Sequence, residues 1–129
     1  MDNKTQGNLA EIAAMYYYRS LGYSVSMPIF EDCHVDLHIQ KDGQVKRVQV
    51  KSSRSVAPSG NYEVSLVTSG GNTSWSGKVK RIDKNFVDLV FIFTANGEVY
   101  EYSAVTLHGR RSVIVNKTLG QYVSRFGFY

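Results

Sequence analysis

Apolar positions along the chain change period several times, and each change marks an element. Over residues 8–21, Leu9, Ile12, Ala13 and Tyr16 recur at i, i+3, i+4 and i+7. That spacing predicts a helix with those side chains on its buried face. Asn8 suits its N-cap and Gly22 its C-terminal stop. Residues 23–27 alternate as a short strand does. In the run at 35–39, Val35, Leu37 and Ile39 point one way while Asp36 and His38 point the other. Lys41-Asp42-Gly43 supplies a turn, because Asp-Gly accepts positive φ. In the run that follows, Val48 and Val50 share one face, and Arg47, Gln49 and Lys51 share the opposite one. The two runs predict a hairpin with one buried and one polar face.

The pattern is plainer in the second half. Residues 62–68 read as a strand. Residues 69–81 (SGGNTSWSGKVKR) are rich in Gly and Ser and basic, which predicts a loop or hairpin tip around the single Trp75. Residues 86–94 are almost all apolar, as in a strand buried on both faces. Asn96-Gly97 turns the chain into another strand, residues 111–115 form one more, and residues 118–126 read as a short closing helix. No repeat or linker interrupts this order. A chain of 129 residues is one domain's length, so residues 1–129 are expected to form a single α/β domain around a central mixed β-sheet flanked by helices.

Composition narrows the class. A hydrophobic fraction of 43% is too high for a disordered chain. No apolar run reaches the roughly 20 residues of a membrane span, and the N-terminal MDNKTQGN lacks the apolar centre of a signal peptide. With Cys33 as the single cysteine, neither an internal disulfide nor a cysteine-based zinc site is available. A cytoplasmic protein with no membrane partner is expected. The formal net charge of +4 is unevenly spread: residues 1–43 carry −3 and residues 44–81 carry +6. A basic middle beside an acidic first third suits a polyanion held near carboxylates that bind metal.

The polar face of the hairpin holds the informative chemistry. Asp36 on one strand and Gln49 and Lys51 on the next share one side, and Glu11 arrives from the helix. Phosphodiester hydrolysis needs parts of this kind. A hard divalent cation takes oxygen ligands, here Asp36, the side-chain carbonyl of Gln49, the backbone carbonyl of Val50 and Glu11. Lys51 would orient the attacking water and offset the developing negative charge. Each residue also has a plainer reading. Asn8-x-x-Glu11 has the spacing of a capping box. Asp36 and Lys51 can form an ordinary cross-strand ion pair. His34 and His38 share the face but lack a third zinc ligand. Asp88, inside an apolar run, reads as a buried structural aspartate.

The string VDLHIQKDGQVKRVQVKSS resembles the core of the PD-(D/E)XK, or restriction-endonuclease-like, nuclease superfamily. In that pattern an Asp opens one strand of a hairpin and acid-x-Lys lies on the next. The upstream GNLAEIAAMYYYRSLGYSVSMPIFEDCHVDL is similar to the superfamily's N-terminal helix, which often carries a further Glu. Gly7 with Glu11, LGYSVSMP, VDL and VQVKSS together look most like the group I intron-encoded homing endonucleases, and archaeal Holliday junction resolvases are also similar. The likeness covers residues 5–53 well and KRIDKNFVDLVFIFTANGEVYEYSA more loosely.

Carried over by position, the resemblance implies a catalytic set of Glu11, Asp36, Gln49 and Lys51. Gln49 stands where the pattern has an acid, and Val35 where it has Pro. The implied activity is Mg²⁺-dependent, site-specific cleavage of double-stranded DNA, with Mn²⁺ as a possible substitute. The alternatives are a Holliday junction resolvase, a non-catalytic DNA-binding module that lost activity through Gln49, and a protein-interaction domain. Ser52, Ser53 and Arg54 are expected to hold phosphates. Asn72, Thr73, Trp75, Lys78, Lys80 and Arg81 are expected to enter a groove. One active site per chain implies a homo-oligomer, a dimer or a dimer of dimers, with Tyr16, Tyr17, Tyr18 and the aromatic tail QYVSRFGFY as contact surfaces.

Overall fold

Asp2 starts the first helix. Its carboxylate accepts the Thr5 N–H at 2.7 Å, and α1 runs Asn3–Ser20 rather than from residue 8. The computed structural model describes residues 2–30, 34–69, 79–116 and 122–125. The buried stripe of α1 is Gln6, Ala10, Ala13, Ala14 and Tyr18. The expected face is therefore wrong at three of its four positions. Leu9, Ile12 and Tyr16 are 38%, 56% and 67% exposed. The alanines explain the rotation: they let the helix approach the sheet closely, and Leu37, Ile39 and Phe91 from the strands supply the bulk. Of the three consecutive tyrosines only Tyr16 is exposed. Tyr17 packs against this core and is half-buried, and Tyr18 is buried with its hydroxyl donating to Glu101 at 2.7 Å, so Tyr18 offers no contact surface.

The strands are β1 (Ser24–Ser26), β2 (Leu37–Lys41), β3 (Gln44–Ser53), β4 (Glu63–Ser65), β5 (Thr68–Ser69), β6 (Val79–Lys80), β7 (Leu89–Thr94), β8 (Glu98–Ser103), β9 (Ser112–Ile114) and β10 (Tyr122–Arg125), with a short α2 (Ala104–Leu107) after β8. Among the described residues, six strands form one sheet in the order β1-β2-β3-β7-β8-β10. The β3–β7 pair is parallel and the others are antiparallel, so the sheet is mixed as expected. The β2–β3 hairpin pairs Leu37 with Val48 and Lys41 with Gln44. It turns through Asp42 and Gly43, both at positive φ.

Strand parity divides the interior into two cores. Val48, Phe91 and Val99 face α1. Val90, Ile92, Tyr100 and Tyr102 face the other way, against Leu107 of α2 and the small β4–β9 sheet with Val64 and Val113. Gln49 and Lys51 alternate with Val48 and Val50 on β3, so they lie on the face turned away from α1.

Several expected elements differ. Tyr122–Arg125 is a strand paired with β8, not part of a helix. The run 62–68 divides into β4 and β5, with fully buried Leu66 between them. Phe86 precedes β7 and is exposed, its ring stacked on His34 with centroids 5.3 Å apart. Asp88 is not buried: its carboxylate takes three hydrogen bonds from Arg47, two from the guanidinium and one from the backbone, and ties the start of β7 to β3. The Arg47 bonds hold its carboxyl below the usual carboxylate range. β5 and β6 pair antiparallel, Thr68 with Lys80. The tip residues Asn72, Thr73, Trp75 and Lys78 lie outside the described residues, as does Cys33. Among the described residues no helix is long and apolar enough to cross a membrane.

Candidate active site

Asp36 stands just before β2 and braces β3 twice. Its backbone N–H donates to the Val48 carbonyl at 2.9 Å, and its Oδ2 accepts the Val50 N–H at 2.7 Å. Gln49 is bracketed between these two bonds. In an extended strand the N–H and C=O of one residue lie on the same side, so the Val50 carbonyl faces the strand edge where Asp36 sits. The bond to Val50 and the charge of Lys51 both pull the Asp36 carboxyl down, but burial outweighs them and raises it.

Lys51 is the second charged group. Its Nζ donates to Thr68 Oγ1 of β5 at 2.6 Å. Burial lowers the ammonium's pKa, and the charge of Asp36 only partly opposes the shift. Among the described residues the ion pairs within 4.0 Å are Arg47 with Asp88 and His108 with Asp83, so Asp36 and Lys51 influence one another without touching. The simple cross-strand pair is therefore not formed. Thr68 carries no signal in the sequence that would link it to a lysine on another strand.

Gln49 gives the site its chemical character. It is 8% exposed, and its Oε1 has no hydrogen-bond donor. Leaving a buried amide oxygen unsatisfied costs roughly 1–3 kcal/mol. A donor, a water or a cation would satisfy such an oxygen. The oxygens of Asp36, Gln49 and Val50 are the donor type a hard divalent ion prefers. No three of the His, Cys, Asp and Glu side chains gather as a metal cluster among the described residues, so amide and backbone oxygens would have to complete any ligand set here.

Glu11 is half-buried on α1, at the margin of the buried stripe. The capping box is excluded, because Asp2 holds the cap and Asn8 lies inside the helix. Asp2→Ala should therefore lower the denaturant midpoint, because the Thr5 N–H loses its acceptor.

Beyond Lys51, Ser52 is half-buried and Arg54 is exposed, with its guanidinium donating to Asn3 Oδ1 at 2.6 Å. Ser53 departs from the expectation of a phosphate contact. It is buried and its hydroxyl donates inward to the Glu63 carbonyl. Lys80 and Arg81 are exposed, and Arg81 reaches the Gly109 carbonyl at 3.3 Å.

Comparison with known proteins identifies the family and the fold. The family model of the PD-(D/E)XK endonucleases matches residues 1–117. Among solved structures, that of a bacterial homing endonuclease, I-Ssp6803I, is similar with a TM-score of 0.76 at 19% identity, covering 95% of this chain and 89% of that one. No curated protein matches the sequence. The mixed sheet that carries Asp36 and Lys51 thus falls within a span the family pattern covers from the first residue to beyond β9, and the chain belongs to the PD-(D/E)XK endonucleases.

Proposed function

We propose that the protein is a Mg²⁺-dependent, site-specific endonuclease of double-stranded DNA, of the homing type. The observation that carries this reading is the unsatisfied, buried Gln49 oxygen, two residues before Lys51 on β3 and bracketed by the two bonds that Asp36 makes to Val48 and Val50. Asp36, Gln49, the Val50 carbonyl and Glu11 would hold the cation. When bound, it would polarise the scissile phosphate and lower the pKa of a water so that hydroxide is available. Lys51, steadied by Thr68, donates to that water and to the phosphoryl oxygens as charge develops. The homing assignment rests on the likeness to I-Ssp6803I. Cutting both strands calls for a symmetric dimer or a dimer of dimers. The exposed apolar stripe of Leu9, Ile12 and Tyr16 on α1 is surface that such a contact would cover.

A second reading is favoured by one feature. Gln49 supplies an oxygen without the negative charge of an acid, and a site so weakened would bind DNA without cutting it. Incubation with a set of linear duplexes and four-way junctions, with Mg²⁺, Mn²⁺ or a chelator, separates the readings. Duplex cleavage that the chelator stops and that Asp36→Asn reduces at least about 100-fold is expected. Cleavage confined to junctions would make the protein a resolvase. Binding with no cleavage under either metal would leave the non-catalytic module.

A further inference from the structure

β5 and β6 are the two sides of the ribbon whose tip is expected to enter a DNA groove, yet a side chain of β5 reaches the active site. Among the described residues the ribbon is a two-stranded sheet of its own, separate from the central one. Both of its ends are rooted in the core. Leu66, two residues before Thr68, and Ile82, two residues after Lys80, are fully buried. The Leu66 N–H donates to the Arg111 carbonyl at 2.9 Å, and the Ile82 carbonyl accepts the Gly109 N–H at 3.0 Å. Thr68 is therefore held in place by residues that take no part in hydrolysis. From there its Oγ1 accepts a hydrogen of the Lys51 ammonium at 2.6 Å. Lys80 pairs directly with Thr68, so the two side chains share one face of the ribbon, the face turned toward Lys51.

The kind of partner matters. Lys51 and Asp36 are not within ion-pair distance, and the ammonium bonds a neutral hydroxyl instead. An ammonium locked to a carboxylate would have its charge neutralised there, and the carboxylate would be a poorer ligand for a cation. A hydroxyl takes one of the ammonium's three hydrogens and none of its charge. The other two are then aimed by that bond toward water and a phosphoryl oxygen. The four-carbon stem of a lysine is flexible, so such an anchor decides how often the donor is in place. We propose that Thr68 is the positioning residue of the catalytic lysine, which makes the β5–β6 ribbon part of the cutting machinery as well as a DNA arm. The inference rests on the reading of the protein as a DNA endonuclease and deepens it. It also gives the rooting of the ribbon at Leu66 and Ile82 a function, since a ribbon that only gripped DNA would have no need to fix Thr68 against β3.

The test is single-turnover cleavage with Mg²⁺, over a range of enzyme concentrations in excess of a linear duplex that wild type cuts. It reads the saturated rate and the half-saturating concentration separately. Thr68→Val keeps the β-branched shape that suits a strand and removes only the hydroxyl. It should lower the saturated rate about 100-fold and leave the half-saturating concentration within about twofold of wild type. Thr68→Ser restores an acceptor at the same atom and should cut within about threefold of wild type. Thermal melts of both variants should match wild type, because Thr68 is half-buried and its loss leaves Leu66 and Ile82 in place. If wild type cuts and Thr68→Val cuts equally fast, the positioning role is wrong and the endonuclease reading stands. A rise in half-saturating concentration with the saturated rate unmoved would make Thr68 a DNA contact and overturn the proposal. So would a rate loss that Thr68→Ser does not rescue and that comes with a lower Tm, which would make Thr68 structural. If wild type cuts no duplex, both readings fall.

Discussion

Lys51→Met should reduce cleavage by at least about 1,000-fold, or roughly 4 kcal/mol of transition-state stabilisation, and should leave a protein that melts no lower than wild type at pH 7. The first half follows from position: Lys51 projects from β3 beside Asp36, steadied by Thr68, and the Met side chain offers no donor to replace it. The second half follows from burial, which depresses the Lys51 pKa. A lysine whose folded pKa lies below its unfolded value contributes stability that is present above the unfolded pKa and lost as pH falls through the folded one. At pH 7 the charged form is therefore a cost that Met removes. Wild type should gain stability as pH rises toward the ordinary 10.5, and Lys51→Met should lack that gain. Melts at neutral and alkaline pH, with cleavage and duplex-binding assays on the same preparation, check both halves. A variant that still cuts would remove Lys51 from the chemistry. One that melts well below wild type would make it structural.

Such a trade, activity gained at the expense of stability, explains which features the sequence could reveal. Strand parity exposed the hairpin, because alternation of Val48 and Val50 with Gln49 and Lys51 needs no knowledge of distant contacts. The same local rule placed Asp36 opposite them. The helix spacing points to Leu9, Ile12, Ala13 and Tyr16, whereas the buried stripe is Gln6, Ala10, Ala13, Ala14 and Tyr18. What decided the orientation was the shape of the sheet beneath, with Phe91 and Leu37 filling the space, and no helix pattern contains that. Thr68 carries no local signal for the same reason: it matters through Lys51, which the topology brings to it from 17 residues away. Asp88 was misplaced because an apolar run hides where a strand begins. Its role became clear only with Arg47 across the parallel β3–β7 pair.

Gln49→Glu should make metal-free protein less stable and metal-bound protein better filled. The side chain is 8% exposed and stands beside Asp36, whose carboxyl burial already pushes up. The cation that could offset a second carboxylate there is Lys51, whose charged form burial already disfavours. Two buried acids in one site raise each other's pKa values and titrate as a pair. An acid with a raised folded pKa contributes stability that is present below its unfolded value and lost as pH rises through the folded one. The Gln49→Glu penalty should thus grow from acid pH to neutral, reaching about 2 kcal/mol, or roughly 8 °C in Tm, with a chelator present. Mg²⁺ should restore most of it, and the concentration needed for half-maximal cleavage should fall about tenfold, because the added charge falls on a metal ligand. Gln49→Leu gives the opposite limit: with no orphaned oxygen its metal-free Tm should rise, and Mg²⁺ should no longer shift it. Thermal melts of the three proteins across Mg²⁺ concentration read all of this without any DNA. Equal Mg²⁺ responses in wild type, Gln49→Glu and Gln49→Leu would place the cation elsewhere and sink the role assigned to this oxygen.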